Sequence, residues 1–262
     1  MFDFHMHTTV SYDGHGAPLA MAQAAKEKGL QEICFTDHLD YMHVPLYGEM
    51  KFRVENYNDA YDGLQVEGLV IRNGVEIGMT PWNMDEVKQD LQLRHYDFVL
   101  GSVHFFDDRD PYLDEMIWKE HSQEWVERRY FEELLECVKL HDDFDALGHL
   151  TYIAKVAANP NPRKIALVEY REIVDEILKI LVAKGKGMEV NTSGMMKFGD
   201  YLPGAEYLRR FKELGGEIVT VGSDAHNADR VGEHTFAVCE LLRDIFGHVC
   251  TFSDRKPVFH KL

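Results

Sequence analysis

The 262-residue sequence predicts an α/β protein in which seven strand-then-helix units close, or nearly close, into a parallel barrel. Three observations carry that prediction. The strands read as continuous apolar runs rather than alternating ones, as strands buried on both faces do. Most are followed by a stretch of helical periodicity. Strand after strand then ends in a histidine or a carboxylate. A barrel delivers every strand's C-terminal end to one rim, so such endings converge, whereas an open doubly wound sheet spreads them along an edge.

The first unit opens on Phe2-Asp3-Phe4-His5-Met6-His7. A strand sends alternate side chains to opposite faces, so Asp3, His5 and His7 share one face and Phe2, Phe4 and Met6 the other. The two imidazoles then stand roughly 7 Å apart, near enough to converge on one cation. A loop from Thr8 to Gly16 leads to a helix from Pro18 to Gly29. Glu32 to Thr36 is a buried strand ending in Asp37-His38. Leu39 to about Phe52 has turn residues and aromatics without a clean period, and reads as a long loop over the site. A helix is expected from Val54 to Val66, and a strand from Leu69 to Val75 runs into Glu76.

Pro81 suits a helix start, with an amphipathic pattern to Leu93. The strand Phe98 to Val103 ends in His104, and an acidic loop holding Asp107, Asp108 and Asp110 leads to a helix from about Ser122 to His141. Asp145 to Gly148 is a short strand ending in His149. A loop containing Arg163 precedes a helix from about Ile165 to Lys184, stopped at Gly185. Gly187 to Asn191 is the sixth strand, followed by a loop and a helix to Leu214; Ile218 to Ser223 is the seventh, running into Asp224-Ala225-His226. A last helix, Thr235 to Phe246, precedes a tail in which Val249 to Phe252 forms a final strand.

With 45% hydrophobic residues and no Pro/Gly/Ser-rich linker, residues 1–262 are expected to form a single barrel domain. No apolar run approaches ~18 residues and no basic-then-apolar leader opens the chain, so neither a membrane span nor a signal peptide is expected, and the cytoplasm is the default location. Cys34, Cys137, Cys239 and Cys250 lack C-x-x-C spacing and read as reduced thiols in or near the core. A net charge of -17, from 45 acidic against 28 basic residues, repels nucleic acid and anionic lipid. The expected partner is therefore a small molecule; the oligomeric state is not readable.

The residues at or near the strand ends are His5, His7, Asp13, His38, Glu76, His104, His149, Asp224 and His226. Imidazole nitrogen and carboxylate oxygen together suit zinc, iron or manganese, whereas calcium and magnesium prefer oxygen alone. This is too many ligands for one tetrahedral ion and suits two or three divalent ions sharing a bridging carboxylate, with Glu76 as the bridge. Taken singly, each has an ordinary alternative: Glu76 in a rim salt bridge, His104 or His149 as a hydrogen-bonded barrel histidine, Asp224 as a helix N-cap. Six strand ends sharing these residue types argue for a common purpose. Of the other histidines only His15 is close to the site in sequence; His43, His95, His121, His141, His234, His248 and His260 read as surface or structural.

Phe4-His5-Met6-His7-Thr8 with Ser11-x-Asp13-Gly14, then Thr36-Asp37-His38, Gly74-Val75-Glu76, Gly101-Ser102-Val103-His104, Gly148-His149 and Gly222-Ser223-Asp224-Ala225-His226 resemble the successive motifs of the PHP (polymerase and histidinol phosphatase) superfamily. Order and spacing match over nearly the whole chain. The length and Glu189-Val190-Asn191-Thr192-Ser193-Gly194 are most similar to histidinol-phosphate phosphatases of that type. The resemblance implies a distorted (β/α)7, TIM-like barrel with a trinuclear site at the C-terminal ends of the strands. It places His5, His7, Glu76 and Asp224 on one ion, Glu76, His104 and His149 on a second, and Asp13, His38 and His226 on a third. The implied activity is hydrolysis of a small phosphate monoester, foremost L-histidinol phosphate in histidine biosynthesis.

Three divalent cations against three carboxylates leave a local charge of about +3, enough to draw a small phosphate dianion into an otherwise acidic protein. A water bridging two ions roughly 3.5–4 Å apart ionises near neutral pH and can attack phosphorus in line, while the remaining ion holds phosphoryl oxygens. Catalytic roles are expected at Asp13, Glu76 and His226, the leaving alkoxide taking its proton from water on a metal, from Asp13 or from His226. His15, Lys155, Arg163, Lys197 and Arg230 are the candidate phosphate contacts. Lys197 stands where close relatives are expected to carry arginine, and lysine is a point charge rather than a bidentate fork. Glu189 and Asn191 either meet a substrate ammonium or fill the barrel, and filling is favoured. The competing functions are a phosphoesterase for a nucleotide or another sugar or alcohol phosphate, and a metal-holding barrel without turnover. All the expected ligands being present argues against the latter, and the acidity argues against nucleic-acid processing.

Overall fold

The computed structural model describes residues 1–262. Its strands are β1 (Phe2–Asp3), β2 (Glu32–Phe35), β3 (His38–Val44), β4 (Gly48–Lys51), β5 (Val70–Gly78), β6 (Phe98–Ser102), β7 (Ala146–Leu147), β8 (Gly187–Asn191), β9 (Val219–Gly222), β10 (His248–Ser253) and β11 (Lys256–Lys261). The helices are α1 (Pro18–Glu27), α2 (Val54–Tyr61), α3 (Met84–Leu91), α4 (Glu115–Glu120), α5 (Gln123–Leu140), α6 (Arg171–Ala183), α7 (Met195–Phe198), α8 (Ala205–Glu213) and α9 (Thr235–Ile245).

The parallel wall runs β1-β2-β5-β6-β7-β8-β9. It closes on itself: Phe4 N donates to Val221 O at 2.8 Å, Asp224 N to His5 O at 2.8 Å, and Met6 bridges Ala225 in parallel. The chain is therefore the expected seven-stranded barrel, distorted most at β1 and β7, where the ladder spans two residues each.

Residues 39–52 are not the long loop expected. They form a hairpin of β3 and β4, Val44 paired with Gly48, with Gly48 at φ +72° in the turn. β3 prolongs the line of β2 along β5, so that Phe35 faces Asn73 and His38 faces Glu76. The hairpin escaped notice because Tyr41, His43 and Leu46 are wholly or partly exposed, leaving no apolar alternation to mark it. Other differences are at boundaries. α2 stops at Tyr61, short of Gly63 at φ +82°. α3 begins three residues late because Asn83 uses Oδ1 to accept from Thr80 N and Nδ2 to donate to Gly78 O, tying residues 80–83 into a turn. α5 is preceded by the separate α4, and is capped by Ser122 Oγ accepting from Trp125 N.

The single final strand expected is a hairpin, β10 and β11, that shuts the bottom of the barrel. Phe252 packs on Phe98 with ring centroids 4.9 Å apart, and His260 on Phe2 at 4.4 Å. Both partners begin their barrel strands. Arg255 pairs with Asp145 just before β7, and Arg72 near the start of β5 donates to Ser253 Oγ at 3.0 Å. With that end plugged, the C-terminal rim is left to receive a ligand. All four cysteines are buried and unpaired. No helix is long and apolar enough to cross a membrane.

Candidate metal centre

Because parallel strands end together, the rim collects side chains from every part of the chain. At the mouth of β1, His5 Nε2 and His7 Nε2 lie 2.9 Å apart. Glu76 Oε2, carried in by β5, is 3.3 Å from the first and 3.4 Å from the second. Asp224 Oδ1, from the turn after β9, stands 3.5 Å from His7 Nε2 and 3.7 Å from His5 Nε2. Asp224 adopts φ +56°, uncommon for a residue with a side chain, and its N–H bond to His5 O holds it there.

The other oxygen of Glu76 serves a second group. Oε1 is 3.0 Å from His149 Nε2 and 3.4 Å from His104 Nε2, and these two nitrogens are 3.4 Å apart. Ser102 Oγ donates to the same oxygen at 2.5 Å. A third group sits nearer solvent: Asp13 Oδ2 is 3.2 Å from His226 Nε2 and 3.7 Å from His38 Nε2. His7 stacks between His38 and His226, with centroids at 4.1 and 4.4 Å. All nine residues expected at the site therefore converge, and Glu76 stands between two groups as a bridge would.

The leftover atoms test whether this set fits metal ions. Glu76 Oε2 and Asp13 Oδ1 are buried without a hydrogen-bond partner. Buried polar atoms are ordinarily paired, so two orphaned carboxylate oxygens in one cluster call for an absent partner. Several triads have ligand atoms within 4.8 Å of one another, among them His5-His7-Glu76, Glu76-His104-His149 and His7-His38-His226. Nitrogen and carboxylate oxygen in these proportions fit divalent zinc, iron or manganese.

The charges behave accordingly. Burial works against ionising Glu76, but the imidazoles of His5, His104 and His38 outweigh it and hold the carboxyl well below the usual range. Burial likewise opposes protonation of His5, yet Glu189, Glu76 and Asp224 raise its pKa well above the ordinary value. Burial together with the neighbouring His38 and His226 lowers that of His7. Protons on some rings thus balance the ionised carboxylates, and divalent cations are able to replace those protons.

Four further carboxylates, outside the nine, brace the cluster. Glu189 Oε1 is 2.6 Å from His5 Nδ1, and its Oε2 accepts from His149 N at 2.7 Å, so it positions two members of the cluster and does more than fill the barrel. Asp40 Oδ1 is 2.9 Å from His104 Nδ1. Asp37 accepts from Thr8 N at 2.7 Å and Ser11 Oγ at 2.9 Å, and also from Tyr61 OH, fixing the loop that carries Asp13. Asp3 accepts from Ser223 N at 2.8 Å, Ser223 Oγ at 2.5 Å and Gly232 N at 2.8 Å. Strand parity places Asp3 on the face of His5, whereas Asp40, two residues past His38, falls in the stretch whose sequence shows no period, so parity gave no signal for it.

Above the cluster opens a cavity of about 430 Å³. His15, Lys155, Lys197 and Arg230 line it, together with Tyr12, Tyr47, Asp110, Tyr112 and Tyr152. Lys155 Nζ pairs with Asp224 Oδ2 and donates to Ser193 Oγ at 2.8 Å. Arg163 corrects the expectation: it is not among the lining residues. Its guanidinium is held by Glu127 Oε2 at 2.6 Å and Glu169 Oε2 at 2.8 Å, and Glu127 is fully buried, so this arginine neutralises α5 instead of a phosphate.

A closed seven-stranded barrel with this rim defines a polynuclear metalloenzyme. The chain belongs to the PHP domain family, whose model matches residues 3–193. A probable histidinol-phosphatase of Clostridium acetobutylicum is 32% identical over 232 residues, 88% of this chain and 89% of the relative. A histidinol-phosphatase of Lactococcus lactis is 30% identical over 261 residues, 97% of this chain and 95% of the relative. Among solved structures, a histidinol phosphate phosphatase of Lactococcus lactis, in complex with zinc, L-histidinol and phosphate, superposes with a TM-score of 0.88 at 28% identity, covering 98% of both chains.

Proposed function

We propose that this chain is a metal-dependent phosphomonoesterase that hydrolyses L-histidinol phosphate to histidinol and phosphate, a reaction of histidine biosynthesis. The observation that carries the reading is the two-sided pocket above the ligand cluster. The segments after β7, β8 and β9 supply Lys155, Lys197 (on α7) and Arg230, while loops after β1, β3 and β6 supply Tyr12, Tyr47, Asp110 and Tyr112. A dianion suits the first side; an imidazole and an ammonium suit the second, aromatic and acidic, side. The full-length likeness to the Clostridium and Lactococcus phosphatases supports the same substrate. In this reading residues 1–262 act as one unit in the cytoplasm, which the four unpaired cysteines favour.

His5, His7, Glu76 and Asp224 would hold one ion, Glu76, His104 and His149 a second, and Asp13, His38 and His226 a third. Such ions supply, when bound, positive charge against the phosphoryl group and a lowered pKa for water. The chain's own cations add to this: Lys197 and Arg230 reach the cavity to meet the outer phosphoryl oxygens, and Lys155 holds Asp224 in place. The Asp13–His226 pair, 3.2 Å apart at the edge of the cluster, would hold the third ion when that ion is bound, and without it is placed to pass a proton to the leaving alkoxide.

The test is phosphate release across a panel of monoesters by protein loaded with manganese, zinc or iron. L-Histidinol phosphate is expected to be turned over with the highest kcat/KM, and His5→Asn or His104→Asn to abolish it. A nucleotide or sugar phosphate leading the panel would reassign the substrate, and turnover surviving both substitutions would reject the metal mechanism.

A further inference from the structure

We infer that Asp40 sets the tautomer of two imidazoles at once, and so decides which ring nitrogens of His104 and His38 face the metal positions. Asp40 is 1% exposed, and its only neighbours among hydrogen-bond donors are those two rings. A buried carboxylate without a lysine, arginine or main-chain N–H depends on whatever donors it has. Oδ1 is hydrogen-bonded to His104 Nδ1 at 2.9 Å; Oδ2 lies 3.3 Å from His38 Nδ1, each of these two atoms being buried with no other hydrogen-bond partner and not yet aligned on the other. The far nitrogen of each ring points into the cluster: His104 Nε2 is 3.4 Å from Glu76 Oε1, and His38 Nε2 is 3.7 Å from Asp13 Oδ2. An imidazole that donates from Nδ1 keeps the Nε2 lone pair free, which is the form a metal requires.

His38 Nδ1 is also 3.1 Å from Glu76 Oε2, the oxygen nearest His5 and His7. When Asp40 takes the His38 proton, that oxygen stays free for the cation between His5 and His7. One carboxylate therefore governs ligands belonging to separate metal positions, and the positions are coupled through it.

The backbone makes room for this arrangement. The β3–β5 register pairs His38 with Glu76 and Leu39 with Ile77, which sets Asp40 beside residue 78, a glycine. A Cβ at Gly78 would fall 1.8 Å from Asp40 Oδ1. Gly78 is not in the left-handed region, so space is what this glycine supplies.

Asp40 has this role only if the pocket is the metal centre proposed above, and the test separates the two. Wild type, Asp40→Asn and Gly78→Ala are stripped with chelator and dialysed against graded Zn²⁺ or Mn²⁺, and the metal per chain is measured. Asparagine keeps the volume and accepts one imidazole proton, but its amide N–H donates to the other ring and drives that ring's proton onto Nε2, where it blocks ligation. Asp40→Asn is expected to hold fewer ions than wild type, the lost ones bound about 10- to 100-fold more weakly. Gly78→Ala is expected to move the same way. In zinc-loaded wild type, ring ¹⁵N shifts are expected to show His38 and His104 both protonated on Nδ1. Wild-type stoichiometry and affinity in Asp40→Asn overturns the assignment. So does an Nε2 proton on His104 in the wild type, which requires no variant to fold. A wild type that binds no metal overturns the metal centre itself, and Asp40's part with it.

Discussion

Glu189 and His5 are joined by a 2.6 Å contact between two buried side chains, and the same carboxylate accepts the main-chain N–H of His149. One residue of β8 therefore orients endings of β1 and β7, and a Cβ at Gly222 would strike both Glu189 Oε1 and His5 Cβ at 2.3 Å. Glu189→Gln keeps the shape but removes the charge that favours an Nδ1 proton on His5. Metal affinity is expected to fall about 10- to 100-fold, measured by competition with a chromophoric chelator, with the circular dichroism spectrum unchanged. Unaltered affinity would make Glu189 a packing residue only.

Asp3 ties the start of β1 to the loops after β9 through Ser223 and Gly232. Burial pushes its pKa up to about 6, against the pull of those donors. A folded pKa above the unfolded one means stability that is full below about pH 4 and is lost as pH rises through about 6. Asp3→Asn cannot ionise. In metal-free protein, the melting-temperature advantage of wild type over this variant is expected to shrink from pH 4 to pH 7, by the equivalent of about 3 kcal/mol. A difference that is constant across that range contradicts the assignment.

Arg163→Ala leaves Glu127 buried with Tyr170 OH at 2.9 Å and Gln123 as its remaining partners. The arginine is a third exposed, so the expected loss of stability is discounted to about 1–3 kcal/mol, seen in thermal or denaturant unfolding. kcat/KM is expected to stay at the wild-type value once the variant is folded. A selective rise in KM would return Arg163 to the phosphate site.

The fold was readable because burial on both faces gives each barrel strand an unbroken apolar run, and because a barrel forces strand endings together. His5, His38, Glu76, His104, His149 and Asp224 announced themselves by that position. The hairpin of β3 and β4 did not, since His43 and Leu46 face solvent, Tyr41 is partly exposed, and its period is blurred. Arg163 was misplaced because a cation in a rim loop looks the same in sequence whether it meets a phosphate or a buried Glu127 from a distant helix. Glu189 was readable only as a strand residue of the right parity, and Asp40 only as part of a loop; that their oxygens end on imidazole nitrogens depends on β1 and β6, far away in the chain.

Asp110 is the half-buried acid on the aromatic side of the cavity, its carboxylate accepting from Tyr112 N at 2.8 Å. No lysine or arginine neutralises it. Asp110→Asn is expected to raise KM for L-histidinol phosphate about 10-fold or more, the scale of one charge-assisted hydrogen bond, while leaving KM for an alkyl phosphate without an ammonium group nearly unchanged. Equal effects on both esters would place the ammonium elsewhere.

The convergence of His5, His7, Glu76, His104, His149 and Asp224 on one rim stands or falls on bound metal. Elemental analysis of the purified chain, paired with phosphate release before and after exhaustive chelation, addresses it directly. A polynuclear centre predicts two or three equivalents of zinc, iron or manganese per chain, activity lost with them, and activity regained on their return. Full turnover in chelator by protein holding less than one equivalent would contradict it.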